Sequence, residues 1–291
     1  MKLTAGERAF QTVNIVVLVL LSLAALYPLV FVLFASFSDP GLLVQNRGLL
    51  LLPKGFTTEA YKMVFMNPSI GTAYLNTLFY VFAGTAVNIA LSSMAAYGLS
   101  RRDVFWKNAI MFMIVFTMFF DGGIIPSYLL VGNLGLLDSR WALIIPGAIS
   151  AFNLIIMRTA FQAVPVELEE SARLDGAGDF RICWSVVFPL SLPVIAVMLL
   201  FYGVSHWNSW FSAMIYLQDR ALFPLQLILR EILISNDTGS MLTSVSSGDQ
   251  MPIGQTIKYA TIIIATIPIL CVYPFLQKYF VKGVMIGAIK G

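Results

Sequence analysis

Six stretches of this chain are too long and too apolar for the interior of a soluble domain, and they dictate what it can fold into. They run at roughly residues 13 to 36, 74 to 99, 108 to 130, 141 to 161, 185 to 210 and 256 to 277. Each reaches the ~20 residues that a helix needs to cross ~30 Å of hydrocarbon. Lipid offers no partner to a backbone N–H or C=O, so every such group must be satisfied inside the segment, and a helix does that. Composition agrees: 58% of residues are hydrophobic and 11% are charged, against about a quarter charged in soluble domains. The expected fold is all-α, a polytopic membrane protein with six transmembrane helices. Residues 1–291 then form a single transmembrane domain with no soluble domain attached.

Orientation follows from where the cations fall. With the N-terminus inside, the inner segments carry Lys2, Arg8, Arg101, Arg102, Lys107, Arg158, Arg173, Arg181, Lys278, Lys282 and Lys290, eleven in roughly sixty residues. The outer segments carry Arg47, Lys54, Lys62, Arg140, Arg220, Arg230 and Lys258, seven in roughly a hundred. Cytoplasmic connections are the basic ones, so both termini are expected inside. The first apolar run is too long for a secretion signal and lacks a small-residue cleavage site, so it reads as a retained span. Cys183 falls on the inner side and Cys271 within the last span; neither place favours a disulfide. The net charge of +3 reflects the inner bias and is no argument for nucleic acid.

Between the fourth and fifth spans lies a polar island, VPVELEESARLDGAGDFRICWSVVFPLSLP, from Val164 to Pro193. Pro165 suits the first position of a helix, where its missing N–H costs nothing. Glu167, Glu169 and Glu170 then place negative charge on the positive end of the helix dipole. Leu168 and Ala172, four apart, share one face. Gly176, within Asp175-Gly176-Ala177, can take the left-handed conformation that ends a helix. A second amphipathic stretch follows, with Phe180, Trp184 and Val187 at helical spacing, and runs into Pro189 and Pro193.

These residues resemble the EAA signature of inner-membrane permease subunits of bacterial ATP-binding-cassette importers. Glu170-Ser171-Ala172 stands for the EAA triplet and Asp175-Gly176-Ala177 for the DGA after it, with Ser171 in place of the usual first alanine. The resemblance implies that segment 164–184 is a cytoplasmic coupling helix docking on an ATPase, with Glu167, Glu170, Ser171, Ala172, Asp175, Gly176 and Ala177 as its contact residues. It extends over nearly the whole chain. Ala96 to Arg101 matches the Ala-Tyr-x-Leu-x-Arg end of the second span in carbohydrate permeases, and Phe119 to Gly147 is similar to the subgroup handling complex, often acidic, oligosaccharides. The closing KGVMIGAIKG is similar to the tail that maltose-type permeases insert between their ATPases, which would give Lys282, Gly283, Lys290 and Gly291, within a tail of residues 278–291, to that contact. Read without the resemblance, it is a basic tail attracted to anionic lipid.

A sugar path needs aromatic faces and neutral hydrogen-bonding groups around water. Tyr202, Trp207, Asn208 and Trp210, beside His206, concentrate these near the outer half of the fifth span; the other reading is an interfacial aromatic belt. Asp121, next to Gly122-Gly123 and Pro126, either shapes that path or caps an exposed helix end. Asn76, Asn88 and Asn153 read as packing hydrogen bonds rather than ligands. The Ser-, Gly- and Asn-rich stretch Ser235 to Asp249 is either a contact for an external partner or a flexible loop.

Other classes fit less well. An ion-coupled secondary transporter would show paired ionisable groups near the midplane and related halves, and Asp121 has no evident mate in the sequence. A non-sugar solute carried by the same machinery is the nearer alternative. A lone His and the lack of a Gly-x-x-x-x-Gly-Lys-Ser/Thr loop argue against an enzyme and against ATP binding by this chain. The resemblance therefore implies a second homologous permease, two ATP-binding subunits that hold ATP and Mg, an extracellular solute-binding protein and a sugar or oligosaccharide cargo. This chain, carrying no cofactor, would sit among lipid in the bacterial inner membrane.

With Cys183 and Cys271 replaced, Ser100→Cys and Ser171→Cys should resist an impermeant thiol reagent in intact cells, and Ser246→Cys should react. Labelling of Ser171→Cys from outside would overturn the orientation.

Overall fold

The computed structural model describes residues 5–46, 48–234 and 250–288, and their regular elements are helices apart from an isolated bridge between Ser38 and Phe56. The stretch Ser235–Asp249 lies outside the described residues. Three expected spans are continuous helices: within α1 (Ala5–Ser36), across α4 (Pro68–Ser100), and within α13 (Gln250–Ala288). Short helices α2 (Pro40–Gln45) and α3 (Glu59–Met66) lie between the first two.

The other three of the six expected spans are broken helices. The third becomes α5 (Lys107–Phe116) and α6 (Ile124–Asn133), parted at Gly122-Gly123, where Gly123 has φ +86°. In the fourth, a 3-10 turn at Arg140–Leu143 and an irregular stretch through Pro146-Gly147 precede α7 (Ala151–Gln162). The polar island folds as α8 (Val166–Leu174), and the fifth span follows as α9 (Asp179–Leu190) and α10 (Leu192–Trp207), bent by 90° at Ser191 between Pro189 and Pro193. Proline removes a backbone donor and clashes with the preceding turn, so a pair so closely spaced forces the change of direction. Beyond it come α11 (Phe211–Tyr216) and α12 (Leu225–Ile234). Among the described residues, three helices can cross a membrane by length and composition, or four if the bent pair counts as one.

The chain divides into two compact units. The first, residues 1–68 and 231–267, is built on the end of α1: Ala35, Leu43 and Leu50 are buried against Phe31, Phe34 and Tyr259. Its polar turns are tied internally, Ser36 to the Tyr61 hydroxyl at 2.8 Å and Leu50 N–H to the Tyr27 hydroxyl at 3.3 Å. Most of α1 presents Val and Leu outward, as a lipid-facing helix does.

The second unit, residues 69–230 and 268–291, holds the larger core. Ile89, Ala96, Tyr97 and Leu99 of α4 pack with Leu154, Met157 and Phe161 of α7, Ile182, Cys183 and Val187 of α9, and Ile195, Met198 and Tyr202 of α10. Two π turns, Tyr80–Gly84 and Cys183–Val187, sit inside α4 and α9. The first lies against α10, where Gly84 faces the His206 ring and a Cβ there would come within 2.8 Å of Cδ2.

Overpacking costs ~1–3 kcal/mol, more than the ~1 kcal/mol that alanine gains over glycine in a helix. Gly84→Ala should therefore lower the melting temperature of the purified protein in detergent. Gly98→Ala, with no atom within 4 Å of its added Cβ, should hold or raise it. Equal shifts at the two positions would contradict the close Gly84–His206 packing.

Candidate functional site

Helix α8 begins one residue later than expected, with Pro165 as its cap and Glu167 and Glu169 in its first turn. Its end is a Schellman closure: Gly176 N–H donates to Arg173 O at 3.0 Å and Ala177 N–H to Ala172 O at 2.9 Å. Gly176 has φ +80°, the left-handed conformation expected of it. Ala172 and Ala177 pack on the core of the second unit, while Glu167, Glu170, Ser171 and Asp175 are exposed. Leu168, set on the packed face by its spacing with Ala172, is 44% exposed; Leu174 at 88% and Phe180 at 69% add apolar surface to the same segment.

The face turned inward carries Glu169, which is buried and ion-paired with Arg101, the residue that ends α4. The Arg101 guanidinium lies over the Tyr97 ring at 4.6 Å, and its Nε and one terminal nitrogen donate to Ser100 Oγ. Burial lowers the Arg101 pKa from its usual value, as expected for a guanidinium stripped of part of its water. Around this pair the ends of five helices, α4, α5, α7, α8 and α9, are laced together. Arg158 of α7 donates to Leu99 O at 2.9 Å, and Lys107 of α5 to Arg101 O at 2.9 Å. Arg173 of α8 donates to Asp179 of α9 at 2.9 Å, which raises the Arg173 pKa, and the Tyr97 hydroxyl reaches the same carboxylate at 3.4 Å.

Sequence reasoning treated Glu169 as one more charge at the helix start and missed this role. The signal was there: Glu169 and Ala172, three apart, share a face, and a glutamate beside a packed alanine needs a cation. In the tail, Lys282 and Gly283 fall within the backbone of α13, and Lys290 and Gly291 lie outside the described residues.

The path candidates separate. Tyr202 and His206 line a cavity of about 620 Å³ together with Asn88, Ser127, Ser150, Asn153, Ser205, Ser209, Ser212 and Tyr216 among others; Trp207, Asn208, Trp210 and Asp121 are not in its lining. Trp207 is buried edge-on against Tyr74, and the Asn208 amide donates to Val204 O of its own helix. Trp210 carries the Arg230 guanidinium over its face at 4.8 Å. Asp121 is exposed and accepts the Gly123 N–H at 3.1 Å, before the start of α6.

One wall of the cavity is the irregular stretch ahead of α7, whose backbone finds partners in side chains of other helices. Asn88 Nδ2 donates to Gly147 O and Ala148 O, both at 2.8 Å; its Oδ1 meets His206 Nε2 at 2.6 Å; Ser150 N–H donates to the Tyr202 hydroxyl at 3.2 Å. Asn76 likewise donates to Ala221 O and Phe223 O and accepts from Arg140. Asn76 and Asn88 are thus packing hydrogen bonders, as their apolar surroundings suggested. Outside the spans, Asp138 accepts the Asp219 and Gln218 N–H groups, which hold its carboxyl below the usual range.

Comparison with known proteins gives a consistent set. Residues 88–286 match the family model described as "Binding-protein-dependent transport system inner membrane component". The chain is 46% identical over 286 residues to the Bacillus subtilis (strain 168) polygalacturonan/rhamnogalacturonan transport system permease protein YtcP, covering 98% of this chain and 99% of that one. It is 43% identical over 292 residues to the protein LplC of the same organism, covering 99% and 97%. Among solved structures it matches a chain of a bacterial ABC transporter involved in the import of the acidic polysaccharide alginate, with TM-score 0.88, 35% identity, and coverage of 96% of this chain and 99% of that one.

Proposed function

The chain belongs to the family of binding-protein-dependent transport system inner membrane components, and on that premise we propose that it carries acidic oligosaccharides across the bacterial inner membrane. It is a permease subunit of an ATP-binding-cassette importer for sugars or oligosaccharides and not an enzyme; hydrolysis belongs to its partner. The acidic cargo is supported by two relatives whose names specify polygalacturonan or rhamnogalacturonan and alginate. The working assembly is this chain, a second homologous permease, two ATPases holding ATP and Mg, and an extracellular binding protein that delivers the sugar. The 291 residues act as one transmembrane domain with both termini in the cytoplasm.

In this reading α8 and the turn at Gly176 are the lever on which the ATPases pull. The observation that carries it is the combination of an exposed acidic and apolar outer face with a buried anchor, Glu169 on Arg101. A docking helix needs the first to meet a groove and the second to pass motion to α4. Closure of the ATPases moves α8, and the laced ends of α4, α7 and α9 move with it, switching the path from inward to outward facing. Lys282, Gly283, Lys290 and Gly291 serve as a further contact with the ATPases.

Gly176 and Gly135 provide matched positions, with φ +80° and +67° and no atom within 4 Å of an added Cβ at either. A β-branched residue in the left-handed region costs on the order of 1–2 kcal/mol at each. Gly176→Val should insert and assemble yet lose uptake and the stimulation of ATP hydrolysis by sugar-loaded binding protein. Gly135→Val should keep that stimulation. Full transport and normal stimulated hydrolysis in Gly176→Val would remove α8 from the coupling role.

A further inference from the structure

The cavity beside α10 contains hydrogen-bonding capacity that the fold does not use. Asn88 is committed to Gly147, Ala148 and His206, and the Tyr202 hydroxyl to Ser92 and Ser150. Among the described residues, the side chains of Asn153, Ser205, Ser209 and Ser212 make no hydrogen bond to protein, and all four line the cavity. Asn153 is the telling one: the residue is only 6% exposed, yet its amide is open to the cavity and bonds no protein group, so its donors and acceptor are free for water or for a polar ligand that enters. Ser205 near the end of α10, Ser209 in the break after it and Ser212 at the start of α11 all line the same space, because the chain turns there between the two helices.

The lining contains no Lys, Arg, Asp or Glu. Arg230 belongs elsewhere: it bonds Met214 and covers Trp210, and Met214 lies two residues from both Ser212 and Tyr216 on α11, hence on the far side of that helix. A carboxylate brought into this cavity would meet hydroxyls and amides with no cation, and an ionised group stripped of water without a partner is strongly disfavoured. Sugar hydroxyls, each both donor and acceptor, match Ser and Asn directly. The volume, about 620 Å³, lies within the ~300–1,000 Å³ of ordinary ligand sites.

We propose that this cavity is a saccharide subsite reading the neutral hydroxyl face of the cargo, with Asn153, Ser205, Ser209 and Ser212 as ligands and the sugar carboxylates held outside it. The proposal rests on the oligosaccharide reading above and sharpens it: selection for acidic sugar lies with the partner subunits, while this chain contributes contacts indifferent to charge. Tyr202 and His206 form its wall and are spent on holding α4, α10 and the irregular stretch in register.

The test uses the complete transporter, with its ATPases, second permease and binding protein, in proteoliposomes. Uptake of oligogalacturonide is compared with uptake of its methyl-esterified form. Asn153→Ala and Ser209→Ala should each lower uptake of both forms by a similar factor, about tenfold, the equivalent of one lost hydrogen bond. The binding protein's affinity and the recovery of the complex should not change. Ser212→Lys, which supplies the absent cation, should raise the ratio of free-acid to ester uptake above the wild-type ratio. A loss confined to the free acid would place the carboxylate in the cavity and overturn the proposal. Unchanged uptake in Asn153→Ala and Ser209→Ala would do the same, leaving the cavity to water or to a side chain of the second permease. Failure of the wild-type transporter to import either form would instead strike the acidic-oligosaccharide reading on which the subsite rests.

Discussion

The end of the second unit that carries α8 depends on one buried ion pair, Arg101 with Glu169. Helix α8 has nine residues, below the ~12–15 at which an isolated helix becomes even marginally stable in water. Its existence at a fixed angle must therefore come from tertiary contact, and Glu169, Ala172, Arg173 and the closure at Gly176–Ala177 supply it. Burying two charges is costly, and an apolar pair of equal volume would often be as stable or more so. What such a pair gives is position: a guanidinium flattened on Tyr97 and steadied by Ser100 offers its partner one geometry. Removing one charge leaves the other unmatched, at a cost of ~3–5 kcal/mol. The pair thus acts as a clasp between the end of a long helix and the start of a short one.

The same unit answers a second constraint at its other end. Breaking a helix inside hydrocarbon frees carbonyls and N–H groups that lipid cannot satisfy. The stretch through Pro146-Gly147 is tolerated because Asn88 and Tyr202 take over its hydrogen bonds. That substitution also defines the cavity, since irregular backbone leaves room where a regular helix would have placed side chains. Clasp and cavity share α4, so movement at the clasp has a continuous packed route, through Ile89, Met157, Met198 and Tyr202, to the cavity wall.

Much of this was legible in the chain. Gly176 could be placed in the left-handed region because Asp-Gly-Ala after a helical run is local turn chemistry, and the lengths of α1 and α4 followed from unbroken hydropathy. The break near Gly122-Gly123 was legible in its glycines, whereas those at Pro146-Gly147 and between Pro189 and Pro193 were not read, although the residues were in plain view. Hydropathy averages over a window and registers no difference between a helix and an apolar kink. Glu169 escaped because its partner lies far back in the sequence. The polar cavity lining escaped because single serines and an asparagine in an apolar run look like any small packing residue until the fold leaves them facing open space.

The clasp is tested most directly by a double-mutant cycle on the assembled transporter, reading the ratio of ATP hydrolysis with and without sugar-loaded binding protein. Arg101→Met and Glu169→Met should each reduce that ratio by about tenfold or more, and the double variant should be no worse than either single, because both singles break the same link. Losses that multiply in the double variant, or singles that keep full stimulation, would show that α8 is held and driven by something other than this pair.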